Sequence, residues 1–289
     1  MKTIIITDSN CDLTVNYINQ NNVHVIPFTF HLNDQDYIDD FGKSIEYKEF
    51  YNEIRKGGMP TTAQITAYTF ESEFRKFTSK GHSIIYIGFS SALSETYNNA
   101  IMARKALLED DSSIDVTVID SKSATVGQGL IVFYACEMLK QGKSKQEIVE
   151  WIENNKLKVN HWFTIDSLDH LKRGGRISAS SAAIGTLLDI KPVLNVGNDG
   201  RLNMVKKVRG RKKSIKTLVE EFKARVVDSE EQTIFISHGD CAEDAEYLNE
   251  LVMNEVKVKS VITNYLGPVI GAHTGPGMVC ICFIGIDRG

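Results

Sequence analysis

The sequence lacks the motifs by which several common enzyme classes are recognised. It contains no G-x-x-x-x-G-K-[ST] phosphate loop, no G-x-G-x-x-G dinucleotide fingerprint and no G-x-S-x-G nucleophile motif. The nearest approaches are residues 88–92, which end in Ala where the motif needs Gly, and residues 271–277, whose glycines have the wrong spacing. The sequence therefore does not indicate a self-sufficient kinase, dehydrogenase or α/β-hydrolase.

Cysteine and long apolar runs are also scarce. The five cysteines are scattered and form no C-x-x-C pair, so neither a zinc ribbon nor a thioredoxin-type site is indicated, and reduced thiols in a cytosolic protein are expected. The apolar run near the N-terminus has three isoleucines, whereas a signal peptide needs roughly 7–15 apolar residues. No run approaches the ~20 residues of a membrane span. We therefore predict a cytoplasmic protein without a membrane span.

Charge is nearly balanced. Lys plus Arg is 33 and Asp plus Glu is 37, a net charge of −4, which argues against a dedicated nucleic-acid binder. Residues 206–216 are an exception, since seven of the eleven are basic. They form either a solvated edge or a surface for an anionic ligand or acidic partner. The aspartates at 34, 36, 39 and 40 lack the glycine of a calcium loop, and no metal site is predicted.

Short β-rich runs alternate with longer helical patterns. The runs are almost continuously apolar, which is typical of strands covered on both faces. Such alternation predicts an α/β fold with mostly parallel sheets flanked by helices. We predict two domains, residues 1–158 and 159–289, with a small-molecule site between them. Strands are expected at residues 3–7, 23–30, 83–89, 116–120, 162–167, 193–197, 233–237, 260–265 and 278–285, and helices at 95–108, 124–140, 145–155, 213–224 and 242–254.

Two hydroxyl-rich loops follow predicted strands. Asp8 and Ser9 follow the first strand, and Ser90, Ser91 and Ser94 follow the strand that ends near residue 89. Ligands of open α/β sheets bind at the carboxyl ends of strands, so both loops are well placed for binding. Each also has a local alternative, since Asp8 or Ser9 can shape a turn and Ser94 can cap the helix that follows it. Both roles are compatible.

Three other segments carry candidate polar groups. Residues 57–64 form a glycine-rich loop with two threonines, expected to be flexible. His273 lies in a segment with three glycines, where a backbone can approach a ligand closely; a lone histidine is otherwise more often structural. Arg173 and Arg176 flank a Gly-Gly turn, where planar guanidinium groups suit a phosphate or carboxylate.

Six ordered motifs resemble the DegV family over most of the chain, from Ile4 to about Gly285. They are Asp8-Ser9…Asp12-Leu13, Thr62-Ala63-Gln64, Ser90-Ser91…Leu93-Ser94…Thr96-Tyr97, Gly174-Gly175-Arg176-Ile177, Ile190-Lys191-Pro192 and Gly271…His273-Thr274-Gly275-Pro276-Gly277. The resemblance implies a two-domain protein that holds a long-chain fatty acid, such as palmitate or oleate, in a tunnel between the domains. In Gram-positive bacteria it further implies the binding subunit of a fatty acid kinase, which presents the carboxyl group to an ATP-dependent partner for acyl-phosphate formation.

The resemblance also implies roles for single residues. Thr62 and Ser94 match hydroxyl donors to the fatty-acid carboxylate, and His273 matches a third head-group residue. Arg173, Arg176 and Ser9 are possible head-group or partner contacts. No catalytic residue, metal or cofactor is implied beyond the bound lipid, so the expected role is a non-catalytic carrier in lipid transport or fatty acid metabolism.

Two departures from the family pattern concern the head group. Ala63 stands where the family usually has Ser, which removes a hydroxyl, and Glu95 stands where it usually has Gly. An acid in the first turn of a helix favours the helix but repels a nearby carboxylate.

Two other classes of function remain open. The first is a hydrolase or transferase that uses Ser94 and His273 on a lipid or acyl ester, although the absent nucleophile motif argues against it. The second is a regulatory or nucleic-acid-binding protein that uses residues 206–216, although the net charge weighs against it.

Overall fold

A computed structural model describes residues 2–177 and 189–288. No helix in these two ranges is long and apolar enough to cross a membrane. The strands are β1 (Thr3–Asp8), β2 (His24–Ile26), β3 (Thr29–Leu32), β4 (Gln35–Ile38), β5 (Thr61–Ala63), β6 (Ser83–Gly88), β7 (Val116–Asp120), β8 (Val159–Thr164), β9 (Ile190–Val196), β10 (Leu202–Arg209), β11 (Thr233–His238), β12 (Ser260–Tyr265) and β13 (Val279–Ile284). The helices are α1 (Val15–Gln20), α2 (Tyr47–Arg55), α3 (Ala67–Thr78), α4 (Thr96–Asp110), α5 (Thr125–Lys140), α6 (Lys145–Asn155), α7 (Asp169–Arg173), α8 (Arg211–Arg225), α9 (Ala242–Glu255) and α10 (Pro268–Thr274).

The strands of the N-terminal half form a parallel sheet and a smaller antiparallel one. The parallel sheet has the order β2-β1-β6-β7, with helical crossovers as predicted. The smaller sheet has the order β4-β3-β5. The single strand predicted at residues 23–30 is wrong, because Pro27 divides it into β2 and β3 in different sheets. Proline has no N–H to donate to a ladder, which explains the break.

The strands of the C-terminal half form one six-stranded sheet in the order β10-β9-β8-β13-β11-β12. Only β11 and β12 pair in parallel, and the other four pairs are antiparallel. The α/β class is confirmed, but the prediction of mostly parallel sheets does not hold for this half. A strand that is buried on both faces is apolar whether it pairs in parallel or antiparallel. The apolar pattern alone therefore could not distinguish parallel from antiparallel pairing.

Helix α5 lies between the parallel sheet and the six-stranded sheet, and it packs on strands of both. A Cβ added at Gly127 would lie 1.8 Å from His161 Nε2, and one added at Gly129 would lie 2.4 Å from the carbonyl oxygen of Cys11. The two glycines therefore allow β8 and the loop after β1 to approach the helix closely. One apolar core, which includes Ile85, Leu130 and Phe235, extends through all three layers.

Candidate functional site

A cavity of about 730 Å³ lies between the two halves of the chain. This volume is within the roughly 300–1,000 Å³ of typical small-molecule sites. Most of its described lining is apolar and comes from both halves: Phe28, Phe89, Ala92, Leu93, Ala124, Phe163, Leu171, Val196, Leu202, Val269, Ile270 and Met278. The cavity therefore suits a ligand with a large apolar surface.

Two predicted polar residues meet at the cavity wall from opposite halves. Thr62 lies on β5, which pairs with β3, and its Oγ1 is 2.9 Å from Nε2 of His273 on α10. Residues 57–64 were expected to form a flexible loop, but residues 61–63 are a strand of the small sheet. Thr62 is consequently held by a ladder on one side and by His273 on the other.

The environment of His273 keeps its imidazole neutral at physiological pH. Burial, followed by the positive charges of Arg176 and Arg173, lowers the pKa of His273 to about 4. The Gly174 turn allows the ring to fit, since a Cβ added there would lie 2.2 Å from His273 Nδ1. A neutral imidazole with its proton on Nε2 can donate a hydrogen bond to an anion without being charged itself.

Ser94 also lines this cavity, at the loop after β6. Its Oγ donates to Thr96 Oγ1 at 3.0 Å and accepts from the backbone N–H of Thr96 at 3.3 Å. Thr96 Oγ1 in turn accepts from the backbone N–H of Ile65 at 3.3 Å. Ser94 thus helps to shape the start of α4, although Glu95 occupies the N-cap position, and the loops that carry Ser94 and Thr62 are connected by hydrogen bonds.

The structure separates the two predicted arginines. Arg176 lines the cavity, and its Nε donates to the carbonyl oxygen of Leu93 at 3.2 Å, next to Ser94. Burial lowers the pKa of Arg176, and no carboxylate in the described ranges pairs with it. Arg173 is exposed, does not line the cavity, and lies 2.9 Å from His170 Nδ1 through its Nη2.

Neither Ser9 nor the basic run at residues 206–216 lines the cavity. Ser9 is buried, and its Oγ accepts from the backbone N–H of Phe28 at 3.1 Å, while the neighbouring Asn10 lines the cavity.

The basic run is a strip along β10 and the start of α8. Within it, Lys206 pairs with Glu221 and Arg211 with Asp244. Five cations of the strip are exposed and have no ion pair with another described residue: Lys207, Arg209, Lys212, Lys213 and Lys216.

Sequence reasoning missed an ion pair that contacts one residue of the cavity lining. Ser91 lines it and donates through Oγ to Asp120 Oδ2 at 2.5 Å, while Lys122 Nζ lies 3.0 Å from Ser91 Oγ and 2.9 Å from Asp120 Oδ2. Asp120 ends β7, so the rule that places ligands at strand ends pointed to this position as well. The ion pair fixes the Ser91 loop.

Comparison with known proteins agrees with this architecture. The family model described as an uncharacterised protein of the DegV family matches residues 2–285. This chain belongs to the DegV family. A DegV domain-containing protein of Clostridium perfringens is 46% identical to it over 284 residues, which is 98% of either chain.

Two solved structures of fatty-acid-binding proteins share the fold over nearly the whole chain. A fatty-acid-binding DegV family protein from Thermus thermophilus is 28% identical, with a TM-score of 0.89 over 98% of this chain and 100% of its own. A stearic-acid-binding protein from Eubacterium ventriosum is 26% identical, with a TM-score of 0.87 over 100% of this chain and 99% of its own. These matches confirm the predicted DegV-like fold.

Proposed function

We propose that this DegV protein binds a long-chain fatty acid, such as palmitate or oleate, in the cavity between its two halves. The observation that carries the proposal is the Thr62–His273 contact in the wall of a large apolar cavity. The fatty acids bound by the Thermus thermophilus and Eubacterium ventriosum relatives support the same ligand class.

The apolar wall supplies most of the binding free energy in this proposal. Burial of a sixteen-carbon chain at about 0.8 kcal/mol per CH₂ is worth on the order of 10 kcal/mol, before the entropy cost of association. Side chains such as Phe28, Phe163 and Leu202 line the cavity and would contact the tail. Apolar burial does not distinguish an acid from an ester of the same length, so selectivity must come from the polar groups.

Thr62, Ser94 and His273 form the head-group site in this proposal. Each has a hydroxyl or ring N–H that would donate to the carboxylate in place of its present contact, which is with Thr96 for Ser94 and between Thr62 and His273 for the other two. A hydrogen bond to a charged group contributes roughly 1.5–3 kcal/mol. Arg176 adds a positive charge at the same wall without a carboxylate partner of its own among the described side chains. Glu95 also lines the cavity and opposes an anionic head group, but its Oε2 already accepts a hydrogen bond from Asn98 Nδ2 at 2.6 Å. The donors and Arg176 would therefore still favour an anionic head group over a neutral one.

The same arrangement supports a carrier over an enzyme. Ser94 is bonded to Thr96, and His273 is bonded to Thr62, so the described contacts contain no Ser94–His273 pair for nucleophilic attack. We infer a non-catalytic subunit that presents the carboxylate to an ATP-dependent fatty acid kinase. The exposed Arg173 and the five exposed cations of the basic strip that have no ion pair within the described ranges are candidate contacts for such a partner.

The division into domains and the cellular location are part of the same proposal. A boundary at residue 158 is supported by the sheets, because the parallel and small sheets use strands before it and the six-stranded sheet uses strands from β8 onward. A cytoplasmic carrier agrees with five cysteines that form no disulfide.

Mass spectrometry of organic extracts of the purified protein tests the ligand class. The proposal predicts a long-chain fatty acid near one equivalent, and binding of added palmitate or oleate after the lipid is removed. Variant His273→Gln should bind palmitate more weakly, whereas His31→Gln, which alters an exposed histidine on β3, should bind like the wild type. Lipid-free extracts together with no binding of either acid would overturn the proposal.

A further inference from the structure

The helix that carries His273 begins against a residue of the opposite half of the chain. Asp12, which follows β1, accepts a hydrogen bond at Oδ1 from the backbone N–H of Gly267 at 2.9 Å. Its carbonyl oxygen accepts from Asn264 Nδ2 at 2.8 Å. Gly267 is the N-cap of α10, and Asn264 lies near the end of β12. Asp12 thus holds the turn that leads into α10 at two points.

Asp12 is itself held firmly. Its Oδ2 accepts from Thr125 Oγ1 at 2.6 Å, and Thr125 begins the central helix α5. Asp12 is 3% exposed and Thr125 is 4% exposed, so water does not compete for these hydrogen bonds. Burial also raises the pKa of Asp12 well above its usual value. The carboxyl group is therefore fixed between the core of the protein and the start of α10.

The fit at Gly267 is tight. A Cβ added there would lie 2.7 Å from Asp12 Oδ1, so the close approach of the turn to the carboxylate requires glycine. A second bond across the halves fixes the same turn, because the Tyr51 hydroxyl on α2 donates to the carbonyl oxygen of Leu266 at 2.9 Å. Helix α10 is only seven residues long, about 10 Å at 1.5 Å per residue. A displacement of its start is consequently transmitted to His273 near its end.

We propose that Asp12 is a positioning residue that sets the place of His273 against Thr62 by fixing the start of α10. Asp12 is not part of the described cavity lining, so it acts through the helix and not by contact with a ligand. The consequence for affinity rests on the proposed fatty-acid function. The consequence for His273 does not, because it concerns the protein without ligand.

Histidine NMR of the lipid-free protein, with the His273 signal assigned by loss in His273→Gln, tests the positioning role. In Asp12→Ala the NMR signals of His273 should shift. The pKa of His273 should rise from about 4 toward its ordinary 6.5, because the ring loses burial. The affinity for palmitate should fall about tenfold. Asp12→Asn keeps an acceptor for the Gly267 N–H. This variant should show the wild-type His273 signals and a palmitate affinity within about twofold of the wild type. Asp36→Ala, at an exposed aspartate on β4, is the control for loss of a carboxylate.

Gly267→Ala gives an independent test if Asp12→Ala does not fold. It leaves the carboxylate in place but forces the helix away from it, so it should reproduce the His273 shift. A folded Asp12→Ala or Gly267→Ala protein with wild-type His273 signals and pKa would overturn the proposal. If wild-type protein fails to bind palmitate, the fatty-acid function is wrong, while the NMR result still decides the role of Asp12.

Discussion

Thr62 and His273 are 211 positions apart in the chain, yet Thr62 Oγ1 and His273 Nε2 lie 2.9 Å apart across the two halves of the protein. The contact depends on β5 in one half and α10 in the other. The distance between the two groups therefore depends on how the halves pack, and a ligand that bonds to both groups would link the halves.

Substitution of Ser94 by Ala should weaken fatty-acid binding without abolishing it. One hydrogen bond to a carboxylate is lost, so we expect affinity to fall roughly tenfold or more, while the tail contacts remain. A lipid titration of the variant measures the effect, with Ser44→Ala in the exposed loop before α2 as the control. Wild-type affinity in folded Ser94→Ala would remove Ser94 from the site.

Substitution of Arg176 by Gln should raise the pKa of His273. Burial is the main cause that lowers this pKa, and the charge of Arg176 is the next. Removal of that charge should move the pKa from about 4 part of the way toward 6.5, and Arg173→Gln should have a smaller effect. Histidine NMR across a pH series of the lipid-free protein gives the value directly. If Arg173→Gln shifted the pKa of His273 as much as Arg176→Gln or more, the larger effect assigned to the charge of Arg176 would be contradicted.

Substitution of Leu202 by Trp should shorten the usable length of the cavity. Leu202 lines the cavity from β10, and a larger side chain there would occupy space intended for an acyl tail. We expect palmitate to lose more affinity than decanoate in parallel titrations. Val205→Trp, on the same strand at an exposed position, is the matched control. Equal losses for the two acids would show that Leu202 does not contact the tail.

Substitution of Asp39 by Asn should stabilise the protein at alkaline pH. Burial raises the pKa of Asp39 from 3.8 to about 7, and its Oδ2 has no hydrogen-bond partner among the described residues. Between about pH 4 and about pH 7 Asp39 is therefore protonated in the folded state and ionised in the unfolded state. The free energy of unfolding falls as pH rises through this range. At pH 8 we expect Asp39→Asn to be more stable by roughly 1–3 kcal/mol, with little difference at pH 4.

Asp40 provides the opposite case for the same denaturation experiment. Despite partial burial, hydrogen bonds from Ser44 and from the backbone N–H of Lys43 lower the pKa of Asp40. Asp40→Asn should therefore lose stability at neutral pH. If Asp39→Asn were less stable than the wild type at neutral and alkaline pH, the raised pKa of Asp39 would be contradicted.

Much of the fold was predictable because its strands and helices are strongly patterned. The strands predicted at residues 83–89 and 116–120 correspond to β6 and β7, and the helix predicted at 124–140 corresponds to α5. The antiparallel pairing of the C-terminal sheet was not predictable, because strand direction follows from connections and not from the apolar pattern. Strand β5 is three residues long and polar, so its pairing with β3 had no signal of its own.

The site was only partly predictable for the same kind of reason. The motifs singled out Thr62, Ser94 and His273, and all three line one cavity. The different positions of Arg173 and Arg176 depend on the Gly174 turn, which directs only Arg176 to the cavity. The contacts of Lys122 with Asp120 and Ser91 fix the Ser91 loop, and no local pattern in the sequence encodes them.

The affinity of the lipid-free protein for palmitate, compared with methyl palmitate, tests the central claim most directly. The two ligands share a tail, and only palmitate has a carboxylate for Thr62 and His273. We predict that the wild type binds palmitate at least about tenfold more tightly, and that Thr62→Val reduces this preference while Thr61→Val, on the same strand but outside the cavity lining, does not. Equal affinity of the wild type for the acid and the ester, or no binding of palmitate, would contradict the account.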